Sequence, residues 1–168
     1  MAQVLLGLGS NLGDKRTNLQ EAVNAIKMLQ NTEILAVSSI YETAPVGFEN
    51  QEHFYNAVVL LETSFSPNAV LGICMGIEAS MGRKRLMKNG PRIIDIDLLI
   101  YDKIKMDMSE LTLPHPRMNE RRFVLEPMKE LFPTGRALGI FFGGKLDEVS
   151  AQQVKKLPIK LLITGGVN

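Results

Sequence analysis

The sequence predicts an α+β fold: a ferredoxin-like β-α-β-β-α-β antiparallel sheet with helices packed on one face and a C-terminal extension. Three observations predict it. One stretch places apolar residues at the three- and four-residue spacing of a helix, a second opens on a Ser-Pro helix start, and short alternating β-branched runs stand around them. Segments rich in glycine, proline and asparagine mark the boundaries. The length of 168 residues matches one domain, residues 1–168, which buries about two thirds of the surface its unfolded chain exposes.

Residues 3–8 read as a buried strand that ends among Gly7, Gly9 and Gly13. Asp14 then caps a helix to about residue 29, in which Leu19, Val23, Ile26 and Leu29 share one face. Residues 34–41 and 54–61 are alternating runs joined by a loop that holds Pro45, Gly47 and Asn50. Ser66 and Pro67 pair an N-cap with a proline near the first helical position, opening a helix to about residue 80 that stops near Gly82. A polar, basic loop over 83–90 leads into a strand ending at Tyr101, and a short strand over 103–106 completes the sheet. Residues 119–131 form a further short helix. The extension from about residue 135 carries a helix over 147–156 and an apolar end at 159–163.

Charge narrows the function classes. Lys and Arg number 19 against 18 acidic residues, a net +1, so no broad basic field marks a general nucleic-acid binder. No apolar run approaches the roughly 18 residues of a membrane span, and the N-terminus lacks the basic flank of a secretory signal. A soluble, cytoplasmic protein is expected. The single cysteine, Cys74, lies in an apolar helical stretch, as a small core residue does in a reducing compartment.

The chemistry concentrates between Gly90 and Tyr101, Gly-Pro-Arg-Ile-Ile-Asp-Ile-Asp-Leu-Leu-Ile-Tyr. On a strand, Asp95 and Asp97 share one face roughly 6.6 Å apart along the backbone, while Ile94, Ile96 and Leu98 anchor the other. Aspartate is depleted in strands. Here two lie behind Arg92, with Arg83, Lys84, Arg85 and Lys88 upstream and His115, Arg117, Arg121 and Arg122 downstream. Mg²⁺ takes one or two carboxylates and completes its octahedron with water and substrate phosphates, so the pattern points to phosphate chemistry. A merely solvated strand face is the alternative that Asp-Ile-Asp alone leaves open.

Gly7-Leu8-Gly9-Ser10-Asn11-Leu12-Gly13 is not a dinucleotide fingerprint, because its third glycine comes one residue late and no Gly-Lys-Ser/Thr follows. The glycines are read as shaping a strand-to-helix connection. His115, between Pro114 and Pro116, lies on a loop where it can donate to a phosphate oxygen, whereas His53 is structural or solvated. Phe54 and Phe123 are ordinary core candidates, but each lies beside a polar partner, Asn56 and Arg121, and two rings can sandwich a flat heterocycle. Asn56 offers a donor and an acceptor, which suits guanine and pterin equally.

In order along the chain stand Gly9-Ser10-Asn11, Tyr41-Glu42-Thr43-Ala44-Pro45-Val46-Gly47, Phe54-Tyr55-Asn56-Ala57, Gly82-Arg83, the stretch 88–99 and Pro114-His115-Pro116-Arg117-Met118. Together they resemble the 6-hydroxymethyl-7,8-dihydropterin pyrophosphokinase family of folate biosynthesis over nearly the full length. The resemblance implies transfer of the β,γ-diphosphate of ATP, the co-substrate, to the hydroxymethyl oxygen of the dihydropterin, with release of AMP. It implies Arg83, Arg92, Asp95 and Asp97 as catalytic residues, the two aspartates holding two Mg²⁺ ions. Thr43, Val46, Phe54, Asn56, Asp95 and Phe123 would bind pterin. Glu78, Arg83, Arg85, Arg92, Leu98, Leu111, Thr112, His115 and Arg121 would bind ATP, with Glu78 near the ribose and Leu98, Leu111 and Thr112 around adenine.

The implied partners are these small molecules, with no nucleic acid or membrane. The chain is expected as a monomer, with a dimer through the tail or a sheet edge as the alternative. Asn89 stands where many members carry a tryptophan, the 83–90 loop is about one residue shorter than in some, and Phe54 replaces a tyrosine seen in some relatives. Two alternative functions are another Mg²⁺-dependent nucleotidyl- or phosphotransferase and a catalytically inactive ligand-binding ferredoxin-like module.

Overall fold

The computed structural model describes residues 1–44, 50–82 and 91–163. Strand β1 (Ala2–Ser10) leads to helix α1 (Lys15–Lys27), β2 (Thr32–Val37), β3 (Ser39–Thr43), β4 (Phe54–Thr63), helix α2 (Pro67–Ser80) and β5 (Asp95–Tyr101). A ribbon of β6 (Met106–Asp107) and β7 (Thr112–Leu113) follows, then a 3₁₀ turn at Met118–Glu120 and helix α3 (Arg122–Leu131). The chain continues as a second ribbon of β8 (Arg136–Ala137) and β9 (Ile140–Phe141), helix α4 (Gly143–Glu148) and β10 (Val154–Lys160).

The main sheet is antiparallel, in the order β10-β3-β4-β1-β5, with β2 also paired to β4. Strands β2 and β3 occupy the single run expected over 34–41. Ser38 divides them: its buried Oγ accepts from the Val58 amide at 2.9 Å, and its own amide donates to the Val58 carbonyl at 3.0 Å.

Local chemistry sets the helix starts. Asp14 Oδ1 accepts from the Thr17 amide at 3.1 Å and Ser66 Oγ from the Ala69 amide at 3.3 Å, so both predicted N-caps close their first turns. Helix α1 buries Leu19, Ala22, Val23 and Ile26, and α2 buries Val70, Cys74 and Ile77. Both pack on one sheet face against Val4, Leu6, Leu8, Ile96 and Leu98.

The other face is covered as well. Met118, Val124, Leu125, Met128 and Phe142 pack there against Leu5, Val58, Leu99 and Ile100. Helices on one face therefore describes α1 and α2 but not α3. The reason is apolar surface: a register shift between Leu5 and Leu6 in the β1–β5 ladder brings both Leu99 and Ile100 to the second layer, and that area needs cover from water.

Two further expectations are corrected. The strand expected over 103–106 is β6, which pairs with β7 rather than completing the main sheet. The helix expected over 147–156 is the shorter α4, and the chain then forms β10 on the edge of β3. Lys-Lys-Leu-Pro-Ile-Lys alternates with period two, and Pro158 rules out a continuous helix there. Pairing of β10 with β3 slips between Lys156 and Lys160. Among the described residues no helix is long and apolar enough to cross a membrane.

Candidate active site

One sheet face carries the site. In the β1–β5 ladder Asp95 lies opposite Gly9 and Asp97 opposite Gly7, and in the β1–β4 ladder the same glycines face Asn56 and Val58. Facing residues share a side of the sheet, so the aspartates and Asn56 flank a strip with no side chains. Above it stand Arg121 and Phe123, at the start of α3. Together with Phe54, Thr43 and Arg92 they line a cavity of about 530 Å³.

The bare strip has a steric cause. A Cβ on Gly9 would stand 3.1 Å from Asn56 Oδ1, and one on Gly7 would stand 3.3 Å from Leu99 Cδ1. Of the three glycines read as a turn, only Gly13, at φ +73°, acts as one. Gly7 and Gly9 lie inside β1 and form the cavity floor.

Each aspartate faces an arginine. Arg92 Nη1 donates to Asp95 Oδ2 at 2.5 Å, and Arg121 Nη1 lies 3.7 Å from Asp97 Oδ2. The Asp97 side chain is 43% exposed against 18% for Asp95, so Asp97 is the more open to ligand. Arg92 Nε is buried with no hydrogen-bond partner among the described residues, a donor that an anion can satisfy. Arg121 also lies 5.7 Å from the Phe123 ring centroid, within cation–π range.

Asn11 ties the cationic arm down. The residue is 1% exposed, its Oδ1 accepts from the Arg92 amide at 2.8 Å, and its own amide donates to the Arg92 carbonyl at 3.0 Å. Its Nδ2 donates to Gln51 Oε1 at 2.7 Å and to the Glu52 carbonyl at 3.2 Å. Asn56 Nδ2 donates to Thr43 Oγ1 at 3.0 Å, which leaves Oδ1 to accept from a ligand.

His115 is held toward its neutral form. Burial lowers its pKa below the ordinary value, opposed by Asp97 and reinforced by Arg121 and Arg117. Its Nδ1 accepts from the Arg117 amide at 3.2 Å, so the ring proton is assigned to Nε2. The His115 amide donates to the Leu99 carbonyl at 2.8 Å, fixing the loop to β5.

Other predicted residues lie away from the cavity. Glu78 is 8% exposed on α2, and its Oε1 accepts from the Ile96 amide at 2.7 Å, gripping the strand between the two aspartates. Leu98 and Leu111 are buried with it in the layer of α1 and α2. The Leu111 amide and carbonyl both pair with Met108, at 3.3 and 3.0 Å, so by antiparallel alternation the Thr112 peptide groups point away from β6. Val46, Arg83 and Arg85 lie outside the described residues. Sequence reading missed Asn11, whose signal was Gly-Ser-Asn ahead of the helix, and Gln152, which lines the cavity from the extension without any motif.

Among the described residues no group of three or more His, Cys, Asp or Glu side chains could enclose a metal ion. The donor set is a carboxylate pair, which suits Mg²⁺ completed by phosphate and water rather than a closed protein cage.

A family model described as 7,8-dihydro-6-hydroxymethylpterin-pyrophosphokinase matches residues 5–133. The 2-amino-4-hydroxy-6-hydroxymethyldihydropteridine pyrophosphokinase of Bacillus subtilis is 42% identical over 126 residues, covering 75% of each chain. The protein of the same name from Methylorubrum extorquens is 41% identical over 133 residues, 79% of this chain and 84% of its own. Among solved structures, the wild-type HPPK-DHPS of Plasmodium falciparum with pteroate has a TM-score of 0.70 at 15% identity, over 89% of this chain and 42% of its own. That likeness shows the fold, and this chain spans less than half of that larger protein. The match over residues 5–133 contains Asn11, Asn56, Arg92, both aspartates and Arg121, and the chain belongs to the 7,8-dihydro-6-hydroxymethylpterin-pyrophosphokinase family.

Proposed function

We propose that this chain transfers the β,γ-diphosphate of ATP to the hydroxymethyl oxygen of 6-hydroxymethyl-7,8-dihydropterin, giving AMP and the pterin diphosphate in folate biosynthesis. The observation that carries the reading is the shared sheet face. It sets a carboxylate pair, each member beside an arginine, next to Asn56 and two aromatic rings around one cavity. A volume of about 530 Å³ is that of a small-molecule site.

Phe54 and Phe123 stack on the pterin, Asn56 accepts from its amino-oxo edge, and Thr43, Val46 and Asp95 complete the pocket. Arg92 and Arg121 hold the phosphate chain, with Arg83 and Arg85 joining them and His115 adding a neutral donor. Such contacts act by positioning and by opposing charge that builds in the transition state. Asp95 and Asp97 would hold two Mg²⁺ ions, which when bound neutralise phosphate charge and align the attacking hydroxyl. Glu78, outside the cavity, is assigned to the ribose side of ATP, and Leu98, Leu111 and the Thr112 peptide, which faces away from β6, to the adenine side.

The strand order, with β1 between β4 and β5, supports a ferredoxin-like reading of the β-α-β-β-α-β portion. The chain acts as one cytoplasmic, monomeric pyrophosphokinase domain. The test is to incubate the protein with ATP, Mg²⁺ and the dihydropterin and to follow AMP and the pterin diphosphate by mass-resolved chromatography. AMP that depends on both metal and pterin is the expected result. Pyrophosphate release instead would indicate nucleotidyl transfer, and binding without turnover an inactive ligand-binding module.

A further inference from the structure

The family match stops at residue 133, yet the segment beyond it reaches back into the site. Gln152, in the connection between α4 and β10, lines the cavity with Arg121 and Phe123. Its carboxamide is committed at both ends. Oε1 accepts from the Arg122 amide at 2.9 Å, and Nε2 donates to the Glu120 carbonyl at 2.7 Å.

Those two groups belong to the two peptide planes that meet at the Arg121 Cα. Arg121 is the residue where the 3₁₀ turn ends and α3 begins, extended at φ −122° and ψ 104°, and its side chain makes no cap hydrogen bond. A helix start leaves its first amides without partners inside the helix. Gln152 supplies the missing acceptor from thirty residues away. The clasp is returned: Arg122 Nη1 donates to the carbonyls of Ser150 at 3.1 Å and Gln152 at 2.7 Å, and the Gln152 amide donates to the Val149 carbonyl at 3.0 Å.

We propose that Gln152 is a positioning residue of the transfer reaction: by pinning both peptide planes around Arg121, it fixes the direction from which that guanidinium faces Asp97 and the phosphate chain. This rests on the pyrophosphoryl-transfer reading. With the main chain held, the long Arg121 side chain starts from one Cα–Cβ direction, and its head stands between Asp97, at 3.7 Å, and the Phe123 ring, at 5.7 Å. Rate depends steeply on such placement, since a shift of about 1 Å can cost on the order of a hundredfold. The C-terminal extension thereby becomes part of the catalytic apparatus.

The experiment is steady-state AMP formation by Gln152→Ala, Arg121→Ala and the double variant, each checked by thermal unfolding. Gln152→Ala is expected to lower kcat about tenfold while pterin KM stays within about twofold, with little change in Tm because Gln152 is exposed. In the Arg121→Ala background the same change should add less than about twofold, because its target is gone. Gln152→Glu keeps the acceptor for Arg122 and loses the donor to Glu120, so its kcat should fall between, and it carries the test should the alanine variant unfold.

A wild-type kcat in Gln152→Ala, a loss in KM alone, or an equal loss with and without Arg121 overturns the inference. Wild-type turnover by Arg121→Ala would overturn the phosphate role of Arg121 and the role of Gln152 with it. A slow Arg121→Ala beside an unimpaired Gln152→Ala overturns only the inference.

Discussion

Asn11 and Arg92 hold each other by two reciprocal hydrogen bonds, Arg92 amide to Asn11 Oδ1 at 2.8 Å and Asn11 amide to Arg92 carbonyl at 3.0 Å. The Arg92 guanidinium therefore reaches Asp95 from a main chain anchored at the end of β1. Asn11→Ala leaves the Arg92 amide and the Glu52 carbonyl without their partner, and stability should fall by about 1–3 kcal/mol, read as a lower denaturant midpoint. Arg92→Ala should instead keep the fold and lower kcat more than pterin affinity, as expected of a contact that strengthens in the transition state. Weakened pterin binding at an unchanged rate would reverse that assignment.

Asp97→Ala should reduce AMP formation by on the order of a hundredfold or more, because the Mg²⁺ it would hold loses a ligand and phosphate charge is left less compensated. Chelation of Mg²⁺ should do the same to the unaltered protein. Wild-type turnover by the variant at saturating Mg²⁺ would remove Asp97 from the reaction.

Gly9→Ala places a methyl group 3.1 Å from Asn56 Oδ1, where the amide must shift to make room. Pterin affinity should weaken about tenfold, equivalent to about 1.4 kcal/mol, with cooperative unfolding retained. Calorimetric titration decides it. An unchanged affinity would show that the ring does not rest on this strip.

Glu130, on α3, accepts from the Ser39 amide at 2.6 Å and from Lys156 Nζ at 2.9 Å, joining α3 to β3 and β10. Burial raises its pKa, but the Lys156 and Ser39 hydrogen bonds outweigh that and hold it below the ordinary carboxylate value. A depressed folded pKa gives stability that is complete above the unfolded value and lost as pH falls through the folded one. Unfolding free energy measured from neutral pH down through the carboxylate range should therefore decline less steeply in Glu130→Gln, which also starts lower. Equal slopes would exclude this linkage.

His115 should titrate below 6.5 because burial, Arg121 and Arg117 outweigh Asp97. Its lowered folded pKa contributes stability above 6.5 that is lost as pH falls from there through the folded value. An NMR titration of the imidazole reads the midpoint directly. A midpoint at or above the ordinary value would show that burial and the two arginines do not outweigh Asp97.

Local signals explain what the sequence made legible. Asp14 and Ser66-Pro67 announce helix starts through groups only a few residues away, and both caps form. Asp-Ile-Asp shows its shared face through the two-residue period alone. Long-range placement was harder to read. Gly7 and Gly9 looked like turn residues because nothing nearby reveals that Asn56 and Leu99 crowd the strand from its neighbours. Gln152 gives no motif, since its value comes from two peptide groups about thirty residues away. Lys-Lys-Leu-Pro-Ile-Lys became a strand once β3 offered an unpaired edge, a partner that its own residues do not name.

That strand has a consequence for solubility. An outer strand exposes a row of unpaired amides and carbonyls that can template a neighbouring chain, and proteins blunt it with lysine, proline and irregular register. All three are present: Lys155, Lys156 and Lys160 along β10, Pro158 without an amide to give, and the slip between Lys156 and Lys160. This end of the sheet thus repels strand-by-strand growth, so copies that meet along β10 find no regular ladder to extend.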